Sequence, residues 1–183
     1  MATGDDALLD RAKRGDRQAL VAIYDAYYPA LYRYVYRQVD GEESARDLTA
    51  DVFQRFLEAL HKGIGPDQQL KAWLYRVAHN AVIDYYRRQQ YRDHLPLLEQ
   101  VINTHDDPVR LVEAHLTAVH LHQILRQLTP EQQQIIALKF FAGLNNEEIA
   151  LVVGRSVGAV KARQHRAIAA LQRHLLPTEE EAI

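Results

Sequence analysis

Lys161, Arg163, His165 and Arg166 lie within one short stretch, and between Arg155 and Leu176 the chain carries no acidic residue. Cationic side chains gathered on one helix, with no carboxylates to neutralise them, suit a phosphate-lined groove. Side chains near the start of such a helix reach base edges in the major groove of DNA, and the positive end of its dipole faces phosphate. Arg155 and Ser156 stand at that start. A second set lies earlier in the chain. At about 100° per residue, Trp73, Arg76, Asn80 and Arg87 come within about 60° of one another, with Arg88 and Arg92 extending the charge. A flat ring, an amide and guanidinium groups on one stripe would give single-stranded DNA a stacking surface, a hydrogen-bonding reader and backbone neutralisation. The same pattern equally describes a partly buried core tryptophan beside solvated arginines.

Helices must position both sets. Apolar residues recur at helical spacing almost throughout, without strand-like alternation between hairpin turns, so the expected fold class is all-α. A first helix over about Asp5 to Arg14 stops at Gly15. Asp16 then caps a longer helix toward Gln38, which Pro29 is expected to kink or restart. A third helix fits Glu42 to Lys62, with Ala45, Leu48, Val52, Phe53, Phe56, Leu57 and Leu60 as its buried stripe. Gly63, Gly65 and Pro66 force a loop before a fourth helix over about Leu70 to Gln90. From Tyr91 to about Pro108 the periodicity fades and acids outnumber bases, which reads as a linker that leaves the two halves free to move independently. Helical pattern resumes over Val109 to Gln127. Thr129-Pro130-Glu131 starts a further helix that ends near Gly143. Asn145 can cap a short helix over Asn146 to Val153, Gly154 closes it, and Ser156 can cap a last helix from Val157 to about Leu175. Ile149, Ala150 and Val153 on the short helix, with Val157, Val160, Ala167, Ile168 and Leu171 on the long one, would face inward. Arg163 and Arg166 would lie opposite, flanked by Lys161 and His165. A short helix, a tight glycine turn and a longer basic helix make a helix-turn-helix.

Bulk properties narrow the function. The 183 residues, 48% hydrophobic, suffice for one ordinary domain or two small ones, and the net charge of −2 conceals local basic stretches. The absence of cysteine excludes disulfides and thiolate metal sites and fits a reducing compartment. Met1 to Asp10 lacks the cationic flank and apolar run of a signal peptide, and no apolar run approaches the roughly 20 residues needed to cross a bilayer. A cytoplasmic protein is expected. No phosphate-binding glycine loop, nucleophile elbow or metal-ligand spacing is present, so no catalytic residue, metal or cofactor is assigned.

Three motifs carry a resemblance. Leu144-Asn-Asn-Glu-Glu-Ile-Ala150, followed by Val153-Gly-Arg-Ser-Val-Gly-Ala-Val-Lys-Ala-Arg-Gln-His-Arg-Ala167, resembles the C-terminal domain of bacterial sigma factors of the extracytoplasmic-function (ECF) group of the sigma-70 family. Asp47-Leu-Thr-Ala-Asp-Val-Phe53 and Trp73-Leu-Tyr-Arg-Val-Ala-His-Asn80 resemble that group's N-terminal domain, in the same order and separation, so the likeness covers nearly the whole chain. It implies a non-catalytic initiation subunit of RNA polymerase, with a region 2 domain over 1–92, a linker over 93–112, a region 4 domain over 113–177 and a tail over 178–183. Region 4 would read the minus-thirty-five element as duplex through Arg155, Ser156, Lys161, Arg163, His165 and Arg166. Region 2 would open the minus-ten element and hold its single strand through Ile64, Trp73, Arg76, Asn80, Arg87 and Arg88. Asp47, Asp51 and Gln54 would dock on core RNA polymerase. The resemblance further implies promoter DNA and an anti-sigma factor as partners, with no cofactor and no small-molecule substrate. The chain departs from the family at Ala50, where glutamine is frequent, and at Ile64, where an aromatic is frequent.

Other features carry less. Tyr24, Tyr27, Tyr28, Tyr32, Tyr34 and Tyr36 could form a stacking surface, but core packing is the favoured reading. Among His115, His120 and His122 only His115 and His122 align on one helix face, so chance is favoured over a metal site. Glu179, Glu180 and Glu181 read as a solvated tail. Two other readings stay in play: a sigma-like mimic that sequesters an anti-sigma factor, which has no reason to keep Lys161, Arg163 and Arg166, and a stand-alone helix-turn-helix regulator, which leaves Trp73 to Asn80 without a task.

Overall fold

The computed structural model describes residues 4–88 and 127–175, and every regular element among them is helical. Arg92, the linker, the three histidines considered for metal and the acidic tail lie outside the described residues.

The first unit is a four-helix bundle. Helix α1 (Gly4–Lys13) buries Leu9 and Ala12. The carboxylate of Asp16 accepts from the backbone of Gln18 and Ala19 at 2.9 and 3.3 Å, satisfying donors that α2 (Arg17–Tyr36) would otherwise leave open. Arg11 holds the same carboxylate at 2.7 Å and keeps its pKa below the usual carboxylate range. Helix α2 runs unbroken through Pro29, where the sequence predicts a kink or restart. Pro29 is exposed, so the carbonyl it leaves unpaired can turn to water, while buried Tyr27 and Leu31 on either side hold the helix against the core. Helix α3 (Glu42–His61) buries Ala45, Thr49, Val52, Phe53, Phe56 and Ala59, and α4 (Leu70–Arg88) buries Leu70, Leu74, Tyr75, Ala78 and Val82 against α2 and α3. Full burial of an aromatic such as Phe56 contributes about 1.5–3 kcal/mol relative to exposure.

The tyrosines of α2 divide. Tyr27 and Tyr34 are core residues, as the spacing predicts, whereas Tyr24 is 43% exposed. Tyr24, Tyr28, Tyr32 and Tyr36 repeat every fourth residue and stack in sequence, with ring centroids 4.9, 6.1 and 5.6 Å apart.

The second unit opens at Thr129. Its hydroxyl accepts from Gln132 N while the Gln132 side chain accepts from Thr129 N, a reciprocal cap on α5 (Pro130–Ile136) with proline in the first turn. The helix widens into a π turn over Ala137–Phe141 before Gly143, at φ +63°, breaks it. Helices α6 (Asn146–Val153) and α7 (Val157–Leu175) follow. Leu128, Ile136 and Ala167 form a small core between α5 and α7.

The sequence suggests two halves free of each other, but α6 packs along α4, and one apolar cluster runs from Leu74 and Tyr75 into Ile149, Val152 and Val160.

Candidate nucleic-acid interface

Asn145 shapes the helix-turn-helix. Its side-chain oxygen accepts from Glu147 N and Glu148 N at 2.9 Å each, and the Glu148 carboxylate accepts in turn from Asn145 N at 2.7 Å. Gly154, at φ +63° and ψ 39°, ends α6 in the left-handed region and turns the chain within two residues. Ser156 then caps α7 by accepting from Ala159 N at 3.2 Å, so its hydroxyl is already engaged in shaping the helix.

On α7, Val160 and Ala167 are fully buried, while Lys161, His165, Arg166 and Arg173 are exposed, as is Arg155 in the turn before the helix. Lys161, His165 and Arg166 therefore share the solvent face, as their spacing predicts. Arg163 departs from that expectation. Its side chain is 22% exposed and its guanidinium lies 2.9 Å from the Glu131 carboxylate of α5. Arg163 sits on the flank of α7 nearest Ala167 and Ala170, against which α5 packs, and no pattern within α7 could announce a carboxylate brought from another helix. Arg155 and Arg163 line a cleft of about 290 Å³ with His79, Ile83 and Gln134, between the second unit and α4.

On α4, Arg76, Asn80, Arg87 and Arg88 are exposed on one side. Trp73 is half-buried, its ring 5.7 Å from that of Phe56, so it is both a packing residue and one edge of the polar stripe. Ile64 projects from the preceding loop and is 71% exposed. Gln69 adopts φ +56°, an uncommon conformation for a residue with a side chain, at the start of α4 where its carbonyl accepts from Trp73 N. The sequence carries no mark of it.

On α3, Asp47, Asp51 and Gln54 lie along one side. Asp51 pairs with Arg55 at 2.8 Å and Gln54 donates to Glu58 at 3.1 Å, leaving Asp47 exposed. A shallow apolar groove lined by Leu20, Val21, Tyr24, Phe53 and Leu57 runs between α2 and α3. No group of three or more histidines and carboxylates among the described residues could hold a metal ion, and no described helix is long and apolar enough to cross a membrane.

An all-α molecule whose capped helix-turn-helix shows a basic, acid-free helix face is a DNA-reading protein by architecture. Comparison with known proteins specifies which kind. Residues 23–92 match the model of Sigma-70 region 2, and residues 119–171 match that of Sigma-70, region 4. The ECF RNA polymerase sigma factor BldN of Streptomyces coelicolor is 33% identical over 174 residues, covering 94% of this chain; the chain spans 66% of that relative's length. The RNA polymerase sigma factor YlaC of Bacillus subtilis is 29% identical over 168 residues, 90% of this chain and 96% of the relative. Among solved structures, CnrH in complex with the cytosolic domain of CnrY superposes with a TM-score of 0.70 at 26% identity, over 94% of this chain and 97% of CnrH. The sigma factor RpoE of Bartonella quintana, in complex with the anti-sigma factor NepR, has the same fold at a TM-score of 0.63 and 22% identity, over 84% and 94% of the two chains. The chain belongs to the sigma-70 family, within its ECF group.

Proposed function

We propose that this chain is an alternative sigma factor that joins core RNA polymerase, directs it to specific promoters and initiates transcription there. The observation that carries the reading is the solvent face of α7, where Lys161, His165 and Arg166 stand without a carboxylate behind a doubly capped turn. Region 2 spans 1–92, a linker 93–112, region 4 113–177 and a tail 178–183. The polymerase supplies catalysis, and the chain is its non-catalytic initiation subunit, acting in the cytoplasm.

Duplex at the minus-thirty-five element meets Arg155, Ser156, Lys161, His165 and Arg166, with Arg163 available once it leaves Glu131. The melted minus-ten strand runs along Trp73, Arg76, Asn80, Arg87 and Arg88, and exposed Ile64 offers an apolar surface to an extruded base. A guanidinium bidentate to guanine discriminates by about 1–3 kcal/mol, enough to select a base at each position so read. Asp47, Asp51 and Gln54 dock on the polymerase. An anti-sigma factor is the regulatory partner, a reading supported by the resemblance to CnrH held by CnrY.

Run-off transcription tests this. Core enzyme with the wild-type chain should initiate at promoters recovered from its host, and Lys161→Ala combined with Arg166→Ala should reduce initiation at least tenfold while leaving polymerase binding intact. Initiation at wild-type level by the double variant, or none by the wild type on any host promoter, would overturn the reading.

A further inference from the structure

The loop between α3 and α4 is fixed at its start, along its length and from one side. Helix α3 ends in a paired main-chain cap: Gly63 N donates to the Leu60 carbonyl at 3.1 Å and Ile64 N to that of Ala59 at 3.0 Å, with Gly63 at φ +66°. An apolar residue in the place of Ile64 ordinarily folds back onto the helix it follows. Ile64 instead stands exposed, so the cap aims it outward without packing it. Gly65 then passes so close to α3 that a side chain there would begin 2.9 Å from a methyl of Leu60, and Pro66 is buried. The side support comes from α1. The Lys13 ammonium donates to the main-chain carbonyl of Asp67 at 3.4 Å and to its carboxylate at 3.3 Å. Helix α1 is a firm base for this, since Leu9 and Ala12 are buried, the Tyr27 hydroxyl donates to Asp5 at 2.6 Å, and Arg11 pairs with Asp16. Lys13 lies ahead of residues 23–92, which match region 2.

We propose that Lys13 is a positioning residue for minus-ten reading: α1 braces the loop at Asp67 so that Ile64 stands where an extruded base arrives. The inference rests on the reading of Ile64 as a surface for that base, and it gives α1 a task that the reading alone does not. Lys13 acts through the loop and not on the base. A loop that drifts from this position meets the base only part of the time, and apparent affinity for the preferred base falls by that fraction. Affinity for the other bases, which gain little from Ile64, stays as it was. The effect is therefore a loss of preference at one position of the strand. Lys13 and Asp67 meet at the surface, so the brace is modest and weakens with salt. An ion pair of this kind supports a change of about threefold.

The chain has no cysteine, so a spin label on Gln68→Cys, an exposed loop position, reports the loop alone. Its spectrum in the full-length chain should sharpen with Lys13→Met, which keeps the stem and removes the charge, and should return to the parent's with Lys13→Arg. Core RNA polymerase carrying the unlabelled chain is then offered a promoter recovered in the run-off assay, its minus-ten strand left unpaired and each of the four bases placed in turn at each position. Ile64→Ala marks the position that Ile64 reads, where preference collapses. Lys13→Met should lower preference about threefold at that position, leave the other positions and binding to the upstream duplex unchanged, and Lys13→Arg should restore it. An unchanged label spectrum in Lys13→Met would remove the brace. Equal losses at every position would make Lys13 a matter of general stability and overturn positioning. A loosened loop with preference intact, or no position answering to Ile64→Ala, would overturn the link to reading. Failure of the wild type in run-off transcription would count against the sigma-factor reading itself, while the label, which needs neither promoter nor polymerase, still decides whether Lys13 holds the loop.

Discussion

Burial holds the pKa of His79 down to about 4, against an ordinary value near 6.5. The depressed pKa means that the folded chain binds fewer protons than the unfolded one between these values, so stability rises with pH there. The contribution is complete above about pH 6.5 and is lost as the pH falls toward 4; two to three units correspond to on the order of 3 kcal/mol. Urea titrations should therefore show the wild type losing more stability than His79→Gln between pH 7 and pH 5, and parallel loss in the two would refute the assignment. Single residues also mark the limit of what the sequence discloses. Lys161, His165 and Arg166 could be assigned to a solvent face because periodicity within one helix settles which side is buried. Arg163 could not, because its environment is set by α5, and a salt bridge to Glu131 across 32 positions leaves no local trace. Trp73 combines both readings its spacing allows, half-buried against Phe56 yet on the edge of the polar stripe.

Turn chemistry within the helix-turn-helix was legible because each boundary residue satisfies backbone groups that its own helix leaves open. Asn145, Gly154 and Ser156 stand where capping logic requires them, and α6 spans the expected residues. Gly154 has open space where a side chain would begin, so replacing it tests backbone conformation alone. Gly154→Ala should destabilise the chain by about 1–2 kcal/mol, with Gly154→Asn milder because asparagine tolerates the left-handed region. Thermal melts of the two variants measure the difference, and equal melting temperatures for Gly154→Ala and the wild type would contradict the conformational argument. The unbroken course of α2 through Pro29 was not legible, since tolerance of a proline depends on which side of the helix meets water. The π turn at Ala137–Phe141 likewise has no sequence signature.

For the whole molecule, association with DNA should be governed by the exposed cations of region 4. If Arg155, Lys161, Arg166 and Arg173 each neutralise one phosphate, affinity for duplex should fall with salt at a log-log slope of about −3.6, and Arg166→Ala should flatten it by about 0.9. Fluorescence anisotropy over a salt series gives the slope directly; a salt-independent affinity would exclude phosphate contact by this face. The docking of one unit on the other was the least legible feature, because His79, Lys71 and Arg37 meet partners far along the chain. The widened turn that seats Phe141 under Arg37 also leaves Phe140 60% exposed. Removing one residue there would restore regular winding and take out the bulge that seats Phe141 under Arg37. Length at this point in the chain thus acts as a shim, and homologous proteins one residue shorter between Ile136 and Gly143 should wind regularly there and lack the aromatic seat for a cation.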